Sequence, residues 1–129
     1  MGLDNGILIR NTNRKEVCYP FKYSSIEHDS GLTICYWRKC WNLRNAILYG
    51  INGNTKSNNE YYNLDIHQVK VIRAIIKYYI FHPKAWESNN FWEHKEILHI
   101  LIRDMWNLSV LILYMGRNPN KIVTFYDSY

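Results

Sequence analysis

Apolar residues recur along this 129-residue chain with two periods, one of two residues and one of between three and four. Gly6-Ile7-Leu8-Ile9-Arg10 is a short β-rich run bounded by the turn-like Asp4-Asn5-Gly6 and Asn11-Thr12-Asn13. From Glu16 to Tyr23, the residues Val17, Tyr19, Phe21 and Tyr23 alternate onto one face. Pro20 lies out of phase and cannot donate to a ladder, so this segment is expected to be an edge strand paired with the first run as a hairpin. Lys121 to Tyr126 is also β-rich and is expected to join that hairpin as a third strand.

Three longer segments carry helical spacing. A first helix is expected from Thr33 to Tyr49, opening on Tyr36-Trp37-Arg38-Lys39. Its rows are Tyr36, Cys40, Leu43 and Ile47, then Trp37, Trp41, Arg44 and Leu48, with Arg38, Asn42, Asn45 and Tyr49 opposite. Residues 50–60 read as an exposed loop. A second helix follows, with Asp65 as N-cap, Gln68 completing a capping box and Pro83 as its stop. Its apolar stripe is Ile66, Val69, Ile72, Ile76 and Tyr79. A third helix is expected from Asn90 to Met115, with Gly116 just beyond its end. Ile97, Leu101, Met105, Leu108 and Ile112 form its core stripe, and His99, Arg103 and Asn107 its polar row. From Leu108 to Met115 it reads as buried all round. The expected fold is a single α+β domain spanning 1–129, with about three helices packed on a small antiparallel sheet of two to three strands.

Composition narrows the class. An apolar share of 47% is that of a soluble globular chain, and five Trp and eleven Tyr suit either a core or a recognition surface. The net charge of +5 arises within the first 90 residues. That permits an anionic partner but forms no continuous nucleic-acid stripe. Cys18, Cys35 and Cys40 lack paired spacing and read as reduced thiols of a cytosolic protein. The N-terminus lacks a secretory pattern, and no uninterrupted apolar run reaches membrane-spanning length, so no membrane partner is expected.

Catalytic chemistry finds no foothold in the pattern. His94 and His99 are five apart, about 140° around a helix, so they cannot chelate one ion. Glu96-Ile97-Leu98-His99 matches one element of a di-iron bundle, but the expected second helix has no Glu to complete it. Gly50 to Ser57 resembles a phosphate loop without the Gly that must precede Lys56, Thr55 standing there instead. No enzyme activity, metal or cofactor is therefore expected. Binding candidates remain. Arg44 shares a row with Trp37 and Trp41, and either stacks on a ligand or lays its stem over the indoles. Lys70, Arg73 and Lys77 share one helix face, either as a phosphate-binding row or as a solvated surface. Trp86 and Trp92 flank the connector before the third helix, as exposed anchors or as a core plug.

Met1-Gly2-Leu3-Asp4, then Tyr36-Trp37-Arg38-Lys39, then Tyr61-Tyr62 before a helix and an aromatic connector before the last helix, come in the order of a known family. By these motifs the chain resembles a family of small uncharacterised phage and prophage proteins. Glu87 to Trp92 stands where members of that family commonly carry a Gly- and Phe-rich stretch. The resemblance implies a mobile-element accessory protein acting in a bacterial cytosol, and carries no catalytic residues with it. Such proteins often work by binding and blocking. The expected function is a non-enzymatic inhibitor of a host or defence protein, anti-CRISPR-like in its action. The alternative is a binder of nucleic acid or of a nucleotide signal. A symmetric homodimer would bury some of the surplus aromatics.

Overall fold

The computed structural model describes residues 4–22, 31–38, 40–56, 61–82 and 94–128. Its sheet is built around β1, Asp4–Arg10, which pairs antiparallel with β2, Gly31–Arg38, on one side and with β4, Val123–Ser128, on the other. A short strand β3, Tyr61–Leu64, pairs with the far edge of β4, giving the order β2-β1-β4-β3. The helices are α1, Trp41–Asn52; α2, Ile66–Phe81; and α3, His94–Arg117. The α+β class is as expected, with four strands in place of two to three.

Alternation along the strands places one side chain in two on the helix-covered face. Ile9 lies across from Leu32 and Val123, and Val123 from Leu64. In the next layer Ile7 lies across from Cys35 and Phe125, and Phe125 from Tyr62. The last layer is Asn5 across from Trp37 and Asp127. The apolar members of these layers join Leu43, Ile47 and Leu48 of α1, Val69, Ile72 and Ile76 of α2, and Leu101, Leu108 and Leu111 of α3 in one core.

Several expectations are corrected. Tyr36-Trp37-Arg38 ends β2 and does not open a helix, and Lys39 lies outside the described residues. Thr33, Ile34, Tyr36 and Trp37 are β-branched or aromatic, and β1 offers them a ladder; their fit to the helical rows is a coincidence of spacing, while Leu43, Arg44, Ile47 and Leu48 of those rows do form the buried face of a helix. α1 therefore starts at Trp41 and ends where Gly53 takes a left-handed φ of 79°, its N–H bonded to the Tyr49 carbonyl at 2.9 Å. The supposed phosphate loop is this helix end.

Glu16 to Lys22 is not a strand, because β1 already has β2 and β4 as neighbours and offers no free edge. Asn13 accepts from the N–H groups of Lys15 and Glu16 in a side-chain turn. Val17 and Phe21 are still buried and Tyr19 packs edge-on against Tyr114, so the alternation reported a buried face without a ladder. By contrast α2 begins as expected: the Asp65 carboxylate accepts from the Gln68 N–H at 2.7 Å, and Gln68 Oε1 from the Asp65 N–H at 2.9 Å. Pro83, its expected stop, lies outside the described residues. α3 continues through Gly116 to Arg117.

The sheet is tightly packed at Gly6 as well as at Gly31. A Cβ at Gly6 would stand 2.6 Å from the Cys35 carbonyl oxygen and 2.7 Å from the Tyr126 ring. Gly6→Ala should therefore lower the stability read by urea unfolding by roughly 1–3 kcal/mol, the usual cost of overpacking. Gly116→Ala meets nothing within 4 Å and lies inside a helix, so it should be neutral or stabilise by up to about 1 kcal/mol.

Candidate functional site

Arg44, the residue whose place among tryptophans stood out in the sequence, faces inward from the first turn of α1 and is only 6% exposed. Its Nε donates to Asp127 Oδ1 at 3.1 Å and its Nη2 to Asp127 Oδ2 at 2.9 Å, a bidentate pair. Nη1 donates to Asn45 Oδ1 at 2.8 Å and to the Thr55 carbonyl at 3.2 Å. Asn5 Nδ2 donates to Asp127 Oδ1 from the neighbouring strand at 2.6 Å. The guanidinium also lies 5.7 Å from the Trp41 ring centre, so one indole does lie under it. With its donors spent inside the fold, Arg44 is a structural clamp and offers no anion site.

A second buried polar cluster sits on α3. Trp37 is 2% exposed and donates its indole N–H to Asp104 Oδ2 at 2.7 Å, so it is no recognition platform. Burial is the largest influence on Asp104 and pushes its carboxyl up to about 7, against the Trp37 hydrogen bond and the Arg103 charge, which pull it down. The Cys35 thiol beside it is raised by burial and then by that carboxylate. One turn on, Asn107 is also buried and does the work of a strand edge. Its Oδ1 accepts from the Lys22 N–H, and its Nδ2 donates to the carbonyls of Lys22 and Ile34 at 2.8 and 2.7 Å. Asn107 was expected on the polar row of α3; it alone of that row is internal, with Arg103 half-buried and His99 exposed.

The opposite face of α3 is accessible, as are Trp41, Tyr49, Tyr78, Phe81 and Ile122 elsewhere. Ile102, Trp106 and Leu113 are 55%, 46% and 63% exposed, although Leu108 to Met115 was expected to be buried all round. Beside them a groove of about 290 Å³ runs between α2 and α3, lined by Lys22, Ile80, Ile102, Met105, Trp106 and Ser109. Trp106 is held in it, donating its indole N–H to the Pro20 carbonyl at 2.7 Å, with Lys22 Nζ 5.1 Å from its ring centre. Arg73, from α2, donates Nε to Ser109 Oγ at 2.8 Å, and Ser109 donates to the Met105 carbonyl. Lys77 lies one turn before Ile80 and Lys70 one turn before Arg73, both exposed. The expected basic row thus borders the apolar groove.

The structure takes Trp37 out of its row with Trp41 and Arg44, placing it on β2 inside the core, while Trp41 and Arg44 stay together at the start of α1. It ties Arg73 to the groove through Ser109, with Lys77 and Lys70 on the same face of α2. Trp86 and Trp92 lie outside the described residues. Ile102, Trp106 and Leu113 were missed as surface anchors, although their spacings of four and seven form a second apolar row that one buried helix face does not need. By length and composition α3 could also cross a membrane, since Glu96–Arg117 has a mean hydropathy of 1.4, but 44% of that stretch is buried inside the fold. Protein-family models, curated proteins and solved structures yield no match to this chain.

Removing one partner of a buried pair strands the other. Arg44→Met and Asp127→Asn should each cost about 3–5 kcal/mol, and the double variant much less than the sum, measured as a double-mutant cycle by urea unfolding. The pH response should follow Asp104. Its folded pKa of about 7 lies above its ordinary value of 3.8, so the native state holds the proton more tightly than the unfolded chain. The stability it contributes is complete below pH 4 and is lost as the pH rises through 7. Thermal melts of Asp104→Asn between these limits should fall less with pH than those of the parent; parallel slopes would assign the titration to another group.

Proposed function

We propose that this chain is a non-enzymatic binding protein that docks on a partner protein through the outer face of α3 and the adjoining edge of α2. The observation that carries this is the cluster of Ile102, Trp106 and Leu113, large apolar side chains left in solvent beside a groove. Full burial of such a side chain contributes up to roughly 1.5–3 kcal/mol, enough for three together to act as a hot spot. Trp106 is fixed by its bond to Pro20, so little side-chain entropy is lost when a partner covers it.

In the setting the phage resemblance implies, docking inhibits the partner, a host or defence component, in an anti-CRISPR-like manner. The reading as a nucleic-acid or nucleotide binder loses the Arg44 and Trp37 platform and rests on Lys70, Arg73 and Lys77 alone.

Counter-defence is read directly by plating phage on bacterial strains that each carry one defined defence system, CRISPR types included, with and without the chain. Expected is a rise in plaque number of at least about tenfold on one strain, abolished by Ile102→Glu with Leu113→Glu while the purified variant melts like the parent. An unchanged plaque number across the strains, or full activity in the double variant, would overturn the proposal.

A further inference from the structure

We infer that the element seated on this face is an acidic amphipathic helix of the partner, its apolar side chains in the α2–α3 groove and its carboxylates against Lys70, Arg73 and Lys77. The inference rests on the docking face proposed above and adds the chemistry of its occupant.

Shape supports a helix. Ile102 and Leu113 are eleven residues apart, about 16 Å along α3, and the basic row from Lys70 to Lys77 covers about 10 Å of the helix beside it. A long apolar strip with a parallel polar margin is the complement of an amphipathic helix lying lengthwise. Charge supplies the sign. Among the described residues no carboxylate pairs with Lys22, Lys70, Arg73 or Lys77. Five of the described acids are engaged elsewhere: Asp104 and Asp127 in the core, Asp65 on the α2 N-cap, Asp4 with Tyr36, and Glu16 with Thr12 and Asn13.

Arg73 is the most specific of the four cations. Ser109 takes its Nε, which fixes the guanidinium plane at the groove edge and leaves the two terminal amino groups for an end-on carboxylate. Other occupants fit less well. A second copy would bring the same uncompensated cations onto this face, where like charges oppose association. A membrane surface gains little from a concave groove whose Trp106 is tied back to Pro20. Nucleic acid would leave Ile102 and Leu113 against a phosphate backbone, with nothing gained from them.

The test uses the whole chain and three synthetic amphipathic helical peptides about five turns long, with the same apolar face and a polar face of Glu, Gln or Lys. Binding is followed by fluorescence anisotropy. Expected is binding of the Glu peptide at least about tenfold tighter than of the Gln peptide, weakening with salt. The preference should vanish in Lys70→Glu with Lys77→Glu, whose melting should match the parent, and all binding should vanish in Ile102→Glu with Leu113→Glu. Equal binding of the three peptides, no binding of the Glu peptide, or an intact preference in the charge variant overturns the inference. So does retention by anionic phospholipid vesicles or duplex DNA that exceeds peptide binding, or a dimer in sedimentation that Ile102→Glu dissolves. Plaque rescue without a charge preference would sink the acidic helix and leave the docking role standing. An acid-selective surface without plaque rescue would leave the docking face and its acidic helix standing and sink the counter-defence role.

Discussion

Two polar side chains in the middle of α3, Asp104 and Asn107, decide how that helix is turned. α3 is apolar on nearly every side, so hydrophobic burial alone does not choose which face goes in. Counting about 100° per residue, Asp104 and Asn107 lie about 200° and 140° around from Ile102, in the middle of the buried arc. Turned outward they would be well solvated. The cost would fall on what they leave behind: the Trp37 indole N–H, the Ile34 carbonyl and both backbone groups of Lys22. Each such group, buried without a partner, costs about 1–3 kcal/mol. That cost opposes the inverted orientation and keeps Ile102, Trp106 and Leu113 in solvent.

The same logic operates at the far end of the core. Asp127 on β4 is drawn in by Arg44 of α1 and by Asn5 of β1, so a buried pair ties the first and last strands to the first helix. Such a pair adds little net stability over a well-packed apolar substitute, because both ions are desolvated. Its effect is on uniqueness: a register shift of β4 by one residue would turn Asp127 away and leave Arg44 charged and alone in the core. Polar ties at both ends thus specify a sheet and helices whose apolar surfaces alone would fit together in more than one way.

How much of this was legible in the sequence follows from where the information lies. α2 could be read because its signals are local: the Asp65 and Gln68 box and one clean apolar stripe. β4 was legible as a β-rich run expected to join the N-terminal strands, although it spans Val123–Ser128 and not Lys121 to Tyr126. The segment from Thr33 to Arg38 was not, since its strand state depends on pairing with residues more than twenty positions away. Tyr61 to Leu64 escaped notice because four residues carry no period, and only β4 makes them a strand. At the site, the basic row was visible from spacing alone. Arg44 was singled out for the right oddity, an Arg among tryptophans, but its partner Asp127 lies 83 positions away. The outer face of α3 was hidden by the reverse problem: two apolar faces on one helix look like one deeply buried helix.

The rotation of α3 is the claim on which the rest hangs, and hydroxyl-radical footprinting of its tryptophan measures it directly. In the parent chain Trp106 should be oxidised readily and Trp37 protected. In Asp104→Leu with Asn107→Leu, helix content should persist by circular dichroism while the contrast between the two indoles shrinks. Protection of Trp106 equal to that of Trp37 in the parent, or an unchanged contrast and melting transition in the double variant, would contradict the claim.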